Sequence, residues 1–79
     1  MKQQAVLILD DGWIDSERNT YSIITLNLID VSMIIFSENN DIIIALKTPN
    51  DIFLKENATK GDYMQLISTW NQYLTHNNN

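Results

Sequence analysis

The sequence predicts a small α+β fold: an antiparallel meander sheet or partial barrel of about five strands, with one C-terminal amphipathic helix packed on it. Three observations carry that expectation. Isoleucine occupies twelve positions, and β-branched side chains, stiff at χ1, pack well on a pleated sheet. Short apolar runs separated by polar turns fill the chain up to Lys55. Beyond it, Tyr63, Leu66, Ile67, Trp70 and Leu74 recur at spacings of three and four, which places them on one stripe over three helical turns.

The first strand is the continuous apolar run Ala5-Val6-Leu7-Ile8-Leu9, stopped by Asp10-Asp11-Gly12. A run of that length bounded by turn residues suits a strand better than a helix. Asp11-Gly12 is a favoured turn pair because both residues tolerate positive φ, and Trp13-Ile14 follows as a second short strand. The polar stretch 15–19 is a loop. Residues 20–29 form the next strand, with Ile24, Leu26 and Leu28 alternating with Thr25 and Asn27. The phase then slips, and Ile29, Val31, Met33 and Ile35 become the apolar set. Such a slip needs a bulge or bend, which Asp30 marks.

Residues 33–36 and 42–46 are strands joined by the polar turn Ser37-Glu38-Asn39-Asn40-Asp41, a hairpin signal. Thr48-Pro49-Asn50-Asp51 makes a second turn, with Pro at its second position, and leads into Ile52-Phe53-Leu54-Lys55. Residues 33–36 and 42–46 are apolar on both faces. They are therefore either central strands covered on both sides or association edges. One helix covers one face of such a sheet; the other face stays open unless the sheet curls or a second subunit covers it. Thr59-Lys60-Gly61-Asp62 has the form of a capping box that starts the helix. Trp70 is its largest anchor, and Met64 and Tyr73 flank the buried stripe as candidates for an exposed apolar patch. The whole chain is one domain, 1–75, followed by a polar tail, 76–79, in which the helix frays.

Composition narrows the function. There are 79 residues, no cysteine and one histidine, His76, close to the C-terminal end. No cofactor or metal is expected, because no paired Cys or His is present for a structural metal, and two glycines cannot build a phosphate cradle. A chain of this size leaves little room for a substrate pocket of ~300 Å³ or more. His76, with Ser68 and Asp62 on the same helix, lacks the rigid support a catalytic base requires. The expectation is a protein that is not an enzyme. Ten acids against five bases give a net charge of −5, which disfavours direct contact with nucleic acid or an anionic membrane and favours a protein partner with a basic surface. No leader of secretory type and no run approaching the ~20 apolar residues of a membrane-spanning helix is visible. The expected location is the cytoplasm.

The candidate contact residues lie in the acidic segment 10–17: Asp10, Asp11, Trp13, Asp15 and Glu17. A calcium loop requires closely spaced oxygen ligands in a pattern that Trp13-Ile14 interrupts. The segment is therefore either a recognition surface with Trp13 at its centre and carboxylates steering a basic partner, or a solvated turn whose Trp13 packs inward. The order of elements resembles that of pleckstrin-homology-like half barrels, and equally that of many small strand-rich bacterial and phage proteins; neither resemblance carries a motif residue. The expected function is a non-enzymatic binding protein, inhibitor or immunity-like in the manner of phage-encoded anti-defence proteins, that occupies a basic or apolar surface of a macromolecule. The alternative is a homo-oligomeric scaffold protein that associates through its isoleucine-rich sheet.

Overall fold

The computed structural model describes residues 6–47 and 51–76. In chain order it contains β1 (Val6–Leu9), β2 (Trp13–Asp15), β3 (Thr20–Tyr21), β4 (Ile24–Asn27), a 3₁₀ turn (Leu28–Asp30), β5 (Val31–Phe36), β6 (Ile42–Leu46), β7 (Ile52–Lys55) and α1 (Lys60–His76). The expected α+β architecture is present: a five-stranded antiparallel sheet in the order β3-β2-β7-β6-β5, a second sheet of β1 and β4, and the C-terminal helix. The sheet does not close into a barrel. Ala5, the Thr48-Pro49-Asn50 turn and tail residues 77–79 lie outside the described residues.

The meander 5-6-7 forms as its pattern requires. Ser37 closes the β5–β6 turn: its Oγ accepts from the amides of Asn39 and Asp41 at 3.3 and 3.2 Å, and Asn40 takes φ 65°. Residues 20–29 are not one strand. Tyr21 ends β3, which pairs with β2, and Ile24 begins β4, which pairs with β1. Together β1–β2 and β3–β4 make one long ribbon that bends between the two sheets. Leu9 faces Ile24 and Trp13 faces Tyr21, so three residues on one strand oppose two on the other. That extra residue makes the corner. Asp11-Gly12 is a turn, as expected, but one that closes no hairpin between β1 and β2. It forms the bend, where Gly12 sits at φ +100°, a conformation that Cβ-bearing residues resist. The ribbon's reversal lies at residues 15–19, with Arg18 at φ 68°.

The phase slip is resolved by two devices in succession. The 3₁₀ turn follows β4 at the expected Asp30 bend, and the pairing of β5 with β6 then shifts between Val31 and Met33. The inward set after the turn is consequently Val31 and Ile34, at 2% and 7% exposure. Met33 and Ile35, expected in the apolar phase, point outward at 47% and 39%.

The core is built from Leu7, Leu9, Trp13, Leu26, Leu28, Val31, Ile34, Ile42, Ile44, Leu46, Phe53 and Ala58. The capping box forms reciprocally: the Asp62 amide donates to Thr59 Oγ1 at 3.0 Å, and the Thr59 amide donates to Asp62 Oδ2 at 3.2 Å. Helix α1 lies against β5, with Phe36 and Tyr63 stacked at 5.6 Å. Its stripe of Tyr63, Leu66, Ile67 and Trp70 packs half-buried on the core. Tyr73 completes the stripe instead of Leu74, which is 43% exposed. The helix also runs to His76, two residues past the expected end of its stripe.

Candidate functional site

The acidic segment is dispersed by the bend in the ribbon. Trp13, the proposed centre of a recognition surface, lies inside at 2% exposure. It opens β2, and its register partners Tyr21 and Lys55 place it on the core side of the sheet. Of the two readings of Trp13, the inward-packed one describes the structure.

Asp15 is occupied by its own turn. One carboxylate oxygen accepts the amides of Glu17 and Asn19, both at 2.9 Å; the other accepts Asn19 Nδ2 at 3.1 Å and the Tyr21 hydroxyl. The Tyr21 hydrogen bond, assisted by those from Asn19 and Glu17, lowers the Asp15 pKa from 3.8 to about 2. The same bond raises the Tyr21 hydroxyl above its usual value. Asp15 is a turn-building residue. Asp10, Asp11 and Glu17 remain exposed. Asp10 meets Lys55 at 3.5 Å, with the Asp10 side chain 80% exposed, so the pair contributes little to stability.

A larger feature lies on the sheet face away from the core. Register pairs share a face, so Ile14, Leu54, Ile43 and Ile35 form one row across four strands. Ile52, Ala45 and Met33 form a second row beside it. Ile35, Ile52 and Met33 are exposed, and the other four are half-buried; none belongs to the core. Ser16, Arg18 and Glu56 border the rows beside Ile14, Ile43, Ile52 and Leu54, while the helix stripe packs on the core. Sequence reasoning found the two-faced apolar strands but gave no coordinates for the patch, because the bulge at Val31/Met33 decides which residues of β5 join it.

A second feature runs against the expectation that the fold leaves little room for a pocket. Where the two sheets part, an open groove of about 400 Å³ runs between β1 and the first half of α1. All four β1 residues border it, together with Asp10, Lys55 and the buried Trp13 and Ile42; Asp62, Gln65, Leu66 and Thr69 form its helical side. It contains no arrangement of nucleophile, base and orienting group, and Asp62 is engaged in the helix cap. Among the described residues, no group of three or more His, Cys, Asp or Glu is placed to hold a metal ion. No described helix is long and apolar enough to cross a membrane. Compared with known proteins, the chain matches no family model, no curated protein and no solved structure.

Proposed function

We propose that this chain is a small non-enzymatic binding protein of the inhibitor or immunity-like kind, acting in the cytoplasm by occupying a surface of another protein. The observation that carries this reading is the uncovered double row of aliphatic side chains on the sheet, centred on Ile43 and Leu54. A rigid sheet presenting contiguous apolar side chains loses little conformational entropy on docking, and exposed apolar patches of this kind mark interaction sites on small proteins. Asp10, Asp11 and Glu17, exposed within a net charge of −5, favour a partner with a basic rim and accelerate its encounter.

The test is affinity capture from a lysate at low and high salt with three proteins: the native chain, Ile43→Asp, and the triple variant Asp10→Asn, Asp11→Asn, Glu17→Gln. A discrete partner lost with Ile43→Asp, and captured less strongly and with flatter salt dependence by the triple variant, supports the reading. Capture unchanged in Ile43→Asp defeats it.

The self-assembling reading is favoured by one further observation. β5 is an edge of the five-stranded sheet, and its six residues, Val31–Phe36, carry no charge. Such an edge beside an open apolar face is suited to pairing with a second copy. That reading requires a salt-insensitive dimer at micromolar concentration, broken by Ile43→Asp or Ile35→Asp. A monomer in sedimentation equilibrium ends it.

A further inference from the structure

We infer that the groove between β1 and α1 is a binding site for an extended, basic segment of a partner protein, which adds to β1 as a neighbouring strand. This inference deepens the binding reading and rests on it, but it uses a different surface.

The first support is geometric. Consecutive residues of a strand point to opposite faces. A groove bordered by Val6, Leu7, Ile8 and Leu9 in succession must therefore run along the strand's edge, beside its backbone, rather than over either face. Among the described residues β1 pairs only with β4, through Val6–Asn27 to Leu9–Ile24. Its other edge thus presents backbone donors and acceptors to the groove. Four residues at ~3.3 Å each give an edge of roughly 13 Å, enough for a four- or five-residue strand. The volume of about 400 Å³ is within the range of sites that hold a ligand of that size.

The second support is charge. The charged groups facing the groove are Asp10, Asp62 and Lys55. Lys55 already serves Asp10, and the Asp62 carboxyl is held below its usual pKa chiefly by hydrogen bonds with Thr59, with a smaller contribution from Lys55. The two carboxylates and one ammonium leave a net negative end, with exposed Asp11 next to Asp10 in sequence. A Lys or Arg at one end of the incoming strand satisfies that excess. Gln65 offers side-chain hydrogen bonds along the helical wall, Thr69 Oγ1, which donates to the Gln65 carbonyl at 3.1 Å, can still accept one, and Leu66, half-buried beside them, gives an apolar contact for alternate residues of the segment. Backbone pairing supplies affinity in this mode, while the flanking side chains select the sequence.

The experiment selects a ribosome-displayed library of random heptapeptides on the full chain, then measures the enriched peptides against Gln65→Trp, the pair Asp10→Asn, Asp11→Asn, and Ile43→Asp. Gln65 is exposed on the helix, so its replacement fills the groove from outside the core. Enriched peptides should alternate apolar residues with polar ones and carry Lys or Arg at one end. Their affinity should fall at least tenfold in Gln65→Trp and about three- to tenfold in the aspartate pair. In the native chain, the bound peptide should slow amide hydrogen exchange in β1, a readout independent of any variant's folding. No enrichment, or peptides that bind Gln65→Trp equally well and leave β1 exchange unchanged, overturns the groove site. Peptides lost only in Ile43→Asp also overturn it, while leaving the open-face reading intact.

Discussion

Ile44 and Ile52 lie on opposite faces of the same sheet, and truncating each to alanine measures whether the open face meets water. Ile44 is fully buried between Ile34 and Phe53, whereas Ile52 is 45% exposed. Each substitution removes three carbons. At about 0.8 kcal/mol per buried carbon, Ile44→Ala loses about 2.4 kcal/mol of transfer free energy, and the cavity left in a close-packed core raises the cost to about 3–4 kcal/mol. Ile52→Ala loses roughly half the transfer contribution and leaves no cavity, so it costs about 1 kcal/mol. Against a total stability of roughly 4–12 kcal/mol for a chain of this length, the first substitution removes between about a quarter and all of it, and the second about a quarter at most. Urea titration followed by tryptophan fluorescence measures both, because Trp13 is buried and Trp70 half-buried. The milder Ile44→Val, at about 1 kcal/mol, keeps the core arm measurable if Ile44→Ala does not fold. The slope against urea should be the same in all variants, since the surface exposed on unfolding hardly changes. If Ile52→Ala proves as costly as Ile44→Ala, and more so at higher protein concentration, the face is covered by a second copy. The reasoning from an open sheet is then refuted.

Three further outcomes follow from the same geometry. Thr59→Ala removes one half of the capping box and should destabilise the protein by about 1 kcal/mol, lowering the melting temperature by roughly 4–8 °C in a calorimetric scan; an unchanged value refutes the cap. Because the folded-state pKa of Asp15 is depressed from 3.8 to about 2, its contribution to stability is present above the unfolded-state value and is lost as pH falls through that interval. Denaturant titrations from pH 5 down to 2 should show a steeper decline for the native chain than for Asp15→Asn, and parallel curves sink this assignment. Gly12→Ala places a Cβ at an ordinary 3.7 Å from Lys55 Cε but forces alanine to φ +100°. Its cost of about 1 kcal/mol or more is backbone strain, and an equal or higher melting temperature contradicts the bent-ribbon corner.

Local chemistry alone determined much of this protein. The hairpin of β5 and β6, the pairing of β6 with β7, and the Thr59–Asp62 cap follow from alternation, turn residues and side-chain reach, all acting within a few residues. The helix and most of its buried stripe follow from a 3.6-residue period. Tertiary structure decided the rest. Residues 20–29 read as one β-rich run, alternating from Ile24 to Leu28, yet β3 and β4 pair in two different sheets, and long-range pairing places the break at Ser22-Ile23. Trp13 sits among acids, where sequence leaves its direction open; pairing with Tyr21 and Lys55 turns it into the core. Asp15 looks like a free carboxylate until the ribbon returns Tyr21 to it. The groove along β1 exists because the sheets do not close on each other, a property of how the strands are ordered in space rather than of any one segment. Sequence periodicity reports which residues share a face, whereas the partner across that face is set by pairings between segments far apart in the chain.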